Sequence, residues 1–211
     1  MRFRSFIIAY ALVLAILLFA DRRPHPSSED RYSHIVDLTS TTIAGNETKT
    51  PQTEIVAPGA LIPGTWGAGE IPAERLIAPL VVMDLNVAPP AQISLDDIAA
   101  WESKNGAIPQ GSVVAIRRRA SGHASAELPI ASDAAKFLMD ARYTTGFAME
   151  NRPDLASDRT LARQIALHGN YVIESTAQLT TLPASGSLII VAPAKGKSGS
   201  ASQVRVLAMV K

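Results

Sequence analysis

The sequence contains no cysteine. This excludes disulfides, thiolate metal sites, a nucleophilic thiol and a lipidated N-terminal cysteine together, and leaves packing to stabilise the fold. Histidine is scarce too: His25 and His34 fall in or near a polar N-terminal linker, and His123 and His168 stand alone, with no carboxylate or second histidine at ligand spacing. The pattern therefore does not predict a His-rich metal site. An excess of one charge is also lacking. Twenty Lys and Arg residues face 19 Asp and Glu, a net charge of +1, so no overall field draws the chain to nucleic acid or an anionic membrane.

What is present is apolar. With 47% hydrophobic residues in 211, the chain can build one sizeable core, and its length requires no second domain. Arg2 and Arg4 precede a continuous apolar run from Phe6 to Ala20. Its 15 residues suit an export signal better than the roughly 20 needed to cross a bilayer. Residues 1–20 are read as a signal peptide or, because Leu18 is large for a cleavage site at Ala20, as an N-terminal anchor. The charged, Pro/Ser-rich stretch 21–33 reads as a flexible linker, and 34–211 as the folded domain. On this reading the protein is exported, periplasmic or extracellular. It meets the inner membrane only if residues 6–20 are retained.

Along the domain, Ile35–Leu38 predicts a short strand and the threonine-rich stretch 39–53 a loop or edge hairpin. Pro58, Pro63 and Pro72, with Gly59, Gly64, Gly67 and Gly69, keep the next segment irregular. Leu76–Val87 is a near-continuous apolar run, expected as the central strand, buried on both faces. Ser94 and Asp97 form a capping box that starts a helix ending near Gly106. Asp96 and Asp97 are read as partners of its dipole.

Ser112–Ile116 is the next strand, and Arg117–Arg119 are read as its solvated end, with recognition of a phosphate or an acidic partner as the alternative. Ser132 is expected to cap a second helix, followed by a strand over Tyr143–Met149. Ser157 is expected to open a third helix that turns Leu161, Ile165 and Leu167 inward and stops at Gly169. A strand over Tyr171–Glu174, a helical turn over Thr176–Leu182, and strands over Ser187–Val191 and Val204–Val210 complete an α/β domain around a mixed sheet.

Two features invite a functional reading. Ala194–Ser198 contains Gly196-Lys197-Ser198, as a phosphate-binding loop does. The required first glycine is Val191, however, and a strand follows in place of a helix, so the segment reads as a hairpin loop. Glu174 ends a buried strand, where a carboxylate can bind a metal or act as a base.

Val36-Asp37-Leu38-Thr39, Ile71–Pro79, Ile173-Glu174 with Leu179 and Leu182-Pro183, and Gly199-Ser200 with Val204–Val206 follow one another in an order and spacing that resembles a known family. It is the cyclase-like metal-dependent amidohydrolases, which include kynurenine formamidase and isatin hydrolase. The resemblance runs from about His34 to Lys211. It implies a single α/β domain of the swivelling β/β/α type, with a mixed central sheet and short flanking helices. It also implies a dimeric or tetrameric assembly, amide hydrolysis through zinc or manganese and, for the family, a place in tryptophan catabolism.

The family's metal motif has the form H-x-G-T-H-x-D-x-P-x-H. With Gly59 fixing the register, its positions fall on Ala57, Leu61, Pro63 and Gly67. A further family histidine falls on Ala162, twelve residues before Glu174, and the opening motif's histidine on Ser40. Glu174 alone keeps its family residue. The expectation is thus an exported, catalytically inactive member with a binding or structural role, without a metal or other cofactor and without nucleic acid. The alternatives are an active amidohydrolase holding zinc or manganese through Glu174 with His123 or His168, and a nucleotide-binding protein using Lys197.

Overall fold

The computed structural model describes residues 32–40, 52–85, 92–118, 128–150, 152–153, 155, 159–195 and 201–211. Eight strands, β1 (His34–Asp37), β2 (Glu54–Val56), β3 (Ile77–Leu85), β4 (Val113–Arg118), β5 (Gly146–Met149), β6 (Tyr171–Glu174), β7 (Ser187–Pro193) and β8 (Ala201–Val210), form one sheet. Helices α1 (Leu95–Asn105), α2 (Ser132–Arg142) and α3 (Arg159–Leu167) connect β3 to β4, β4 to β5 and β5 to β6. Each of these connections returns the chain to a parallel neighbour, as a crossover helix does.

The strands lie in the order β1-β8-β2-β6-β5-β4-β3-β7, and β8 pairs with β7 as well. The long β8 makes this possible. Its first residues pair with β2 and its last with β1 along one edge, while β7 takes the other edge. Seven strands therefore close into a barrel-like ring, with β1 added beside β8. The result is the mixed α/β domain with few short helices that the sequence implies.

Period-two alternation divides the apolar side chains between two cores. Ile55, Leu80, Val82, Val113, Ala115, Ala148, Tyr171, Ile173, Val206 and Ala208 pack together inside the ring. Val81, Met83, Val114, Ile116, Phe147 and Val172 face the other way, against Ile98, Leu138, Leu161 and Ile165 of the helices. Residues near the C-terminal ends of the parallel strands, and Glu54 on β2, are thereby aimed either into the ring or toward the helices.

The helix signals hold at α1. Ser94 Oγ accepts from the Asp97 amide at 3.2 Å, the Asp97 carboxylate accepts from the Ser94 amide at 2.8 Å, and Gly106 stops the helix at φ +87°. Other expectations are corrected. No strand is central in a closed ring, and β3 is buried on both faces only from Leu80 to Met83, with Ile77 57% exposed. Ala131, not Ser132, is the cap of α2, and the strand after it begins at Gly146 because Tyr143 takes a left-handed conformation at φ +52°. Leu167 is exposed because Leu161 and Ile165 already define the buried face of α3. The helical turn is a single 3-10 turn, Leu179–Thr181. β2 adjoins a stretch that reads as loop, and its three residues are too few to show alternation.

The apolar run 6–20, the linker to Arg31, His25, His123, Ser157 and Lys197 lie outside the described residues. Among the described residues, no helix is long and apolar enough to cross a membrane. β7 and β8, before and after the Gly-Lys-Ser segment, pair antiparallel.

Candidate functional site

The segment after β2 is shaped by backbone contacts. Pro58 occupies the first position of a 3-10 turn, Pro58–Ala60, where its missing N–H is no loss. The Gly59 amide donates to the Trp66 carbonyl at 2.7 Å, and a Cβ on Gly59 would lie 2.7 Å from that same oxygen. Only glycine permits this approach. The four positions of the metal motif consequently diverge. Ala57 is fully buried inside the ring, Leu61 is half-buried on the helix side, Pro63 is exposed, and the Gly67 amide donates to the Glu70 carboxylate at 2.9 Å.

Leu61 nevertheless meets one of the expected partners. A cavity of about 310 Å³ is lined by Ala60, Leu61, Leu155, Arg159, Ala162 and Arg163. Ala162, on the buried face of α3, is the position where the resemblance puts a further histidine. Two positions distant in sequence thus converge on one cavity, and neither side chain carries a donor atom. The arginines lining it are cations and cannot supply metal ligands. Zinc or manganese does not fit these residues, and among the described residues no group of three His, Asp or Glu side chains could hold a metal ion.

Glu174 lies elsewhere. It follows Val172 on the helix-facing side of β6, only 3% exposed, and is directly opposite Glu54 in the β2–β6 ladder. Arg152 binds both: its Nε lies 3.2 Å from Glu174 Oε2, and its Nη2 donates to Glu54 Oε2. Burial pushes the Glu174 carboxyl up to about 7, with Arg152 opposing the rise and Glu54 adding to it. The next residue, Ser175, has φ +57°, and the buried hydroxyls of Ser175 and Thr176 have no hydrogen-bond partner among the described residues. The Thr53 hydroxyl donates to the Ser175 carbonyl at 2.7 Å.

His168 does not join Glu174. Its Nδ1 lies 2.8 Å from the Gln164 carbonyl and its Nε2 2.9 Å from Asp140 Oδ1, so its ring is engaged at the C-terminal end of α3. Arg117 is not a solvated strand end: it is buried, its Nε pairs with Asp84 on the neighbouring strand, and its Nη1 donates to the Leu179 carbonyl at 2.9 Å. Ser40, at the opening motif's histidine position, donates its amide to Thr53 Oγ1 at 2.7 Å.

Three residues escape the sequence reading. Glu54 and Arg152 owe their roles to pairing between distant segments. Arg75 donates from Nη2 to the Gly169 carbonyl at 3.1 Å while stacking 5.6 Å from the Trp66 ring centre. The only local signal was Arg75's place just before β3.

The closed seven-stranded sheet with its few short helices defines a mixed α/β domain of barrel-like form. The family model described as "Putative cyclase" matches residues 25–152, and the chain belongs to that family. It is 27% identical over 164 residues to an isatin hydrolase of Roseibium aggregatum, a match covering 65% of this chain. The chain spans 61% of the length of that curated relative. Among solved structures, isatin hydrolase A from Labrenzia aggregata bound to benzyl benzoate superposes with a TM-score of 0.67 at 24% identity, covering 84% of this chain and 93% of that one. Isatin hydrolase A from Ralstonia solanacearum gives the same TM-score at 22% identity, covering 84% and 92%. The structure of a potential metal-dependent hydrolase with cyclase activity gives 0.63 at 21%, covering 83% and 96%. These likenesses establish the fold.

Proposed function

We propose that this chain is a cyclase-family protein that has exchanged metal-dependent hydrolysis for binding, acting outside the cytoplasm as a homo-oligomer. The observation that carries the reading is the cavity shared by Leu61 and Ala162, where a leucine and an alanine stand at two histidine positions of the family motif. A hydrolytic metal needs at least three protein ligands fixed around it. The side chains at Ala57, Leu61, Pro63, Gly67 and Ala162 supply none, and Glu174 is held by Arg152. The exported location rests on the basic start and apolar run of residues 1–20, and the assembly on family resemblance.

The test is elemental analysis of the purified full-length protein after incubation with zinc and with manganese, combined with an assay of isatin hydrolysis. The reading expects substoichiometric metal and no turnover above the uncatalysed rate. Stoichiometric metal together with metal-dependent turnover would overturn it.

A further inference from the structure

The cavity beside α3 combines an apolar floor with a cationic rim. Ala60, Leu61, Leu155 and Ala162 supply the floor, and Arg159 and Arg163 the rim. The arginines are one helical turn apart, so their guanidinium groups can reach a common point. Both are exposed, and no carboxylate among the described residues pairs with either.

The geometry points to a site for a small organic phosphate or sulfate: a doubly acceptor-rich oxyanion on the arginines, attached to one apolar group on the floor. This inference rests on reading the cavity as a binding site and adds the class of ligand. One carboxylate is satisfied by a single guanidinium fork, whereas three terminal oxygens on phosphorus or sulfur can engage two forks at once. A volume of about 310 Å³ lies at the small end of ligand pockets and admits one ring-sized group. Inorganic phosphate alone would leave the floor unused.

Calorimetric titration of the full-length protein with phenyl phosphate, inorganic phosphate and benzoate tests this. Phenyl phosphate is expected to bind saturably with a Kd below about 1 mM, and the other two at least about tenfold more weakly. The double variant Arg159→Gln/Arg163→Gln should weaken phenyl phosphate at least about tenfold. Ala162→Leu, which fills the floor, should do the same without altering the response to inorganic phosphate. If Ala162→Leu does not fold, Leu61→Gln replaces it. Equal binding of phenyl phosphate and inorganic phosphate, equal binding of benzoate, insensitivity to these substitutions, or no saturation by 10 mM phenyl phosphate, about tenfold above the expected Kd, would each overturn the inference. Metal loading and isatin turnover are read separately, so failure of the non-hydrolytic reading is distinguishable from failure of this ligand assignment.

Discussion

Glu54 and Glu174 stand directly opposite one another across the β2–β6 ladder, with Arg152 bound to both carboxylates. Two like charges in one cross-strand pair disfavour the sheet, and the burial of Glu174 adds to the cost. Its folded value of about 7 lies above the ordinary 4.5, so the folded chain holds a proton that the unfolded chain releases between those limits. Stability therefore falls as pH rises from about 4.5 to 7, and the penalty is fully present above 7.

Urea unfolding at pH 5 and pH 8 should register this as a loss of about 1–3 kcal/mol toward the alkaline side. Glu174→Gln should flatten the pH dependence and stabilise the protein at pH 8. An unchanged pH slope in the variant would show that another group is responsible.

Arg117 offers a second test. Its guanidinium is buried between Asp84 and the Leu179 carbonyl, and truncation removes a donor from each. Arg117→Ala should cost about 2–4 kcal/mol, and a double-mutant cycle with Asp84→Ala should recover part of that loss. Strict additivity in the cycle would show that the pair contributes no coupling.

Gly146 begins β5 against the ring of Tyr171. An added Cβ would lie 2.5 Å from the ring carbon Cε2 and 2.8 Å from the Tyr171 carbonyl oxygen. The ring is pinned in turn, because the Tyr171 hydroxyl donates to the Arg75 carbonyl at 2.8 Å. Gly146→Ala should therefore destabilise by about 3 kcal/mol, measured as a lowered Tm with an unchanged m-value in urea. Retention of wild-type stability would contradict so close a contact.

Ser94→Ala removes the acceptor for the Asp97 amide at the start of α1 and should cost about 1 kcal/mol. Hydrogen exchange should quicken first in that turn. Uniform acceleration across the sheet would instead indicate a global effect.

The elements legible in sequence are those whose signals are local. Ser94 and Asp97 are three residues apart, Gly169 sits at φ +71° where a helix must stop, and Leu80–Met83 is a run apolar enough to be buried on two sides. Leu61, placed by the register of Gly59, and Ala162, placed twelve residues before Glu174, line the same cavity. The same register could not show that Ala57 points into the ring while Pro63 faces solvent, because that follows from how the loop folds back on Trp66. Nor could composition reveal Arg152 between two carboxylates, or Arg117 buried by Asp84. Those partners come from other strands and loops, and only closure of the sheet brings them together.

The three-way pairing of β8 also governs how the domain is assembled. Glu54 meets both Gln203 and Glu174, so the ladders through which β2 seals the ring join segments far apart in sequence. Helices and parallel strands between Ile77 and Glu174 can form from nearer neighbours. The seal must wait for a large loss of chain entropy before any of its contacts contribute. Formation of the ring is then the slow step, and a partly folded chain exposes β2 and β7 as unpaired edges until β8 arrives.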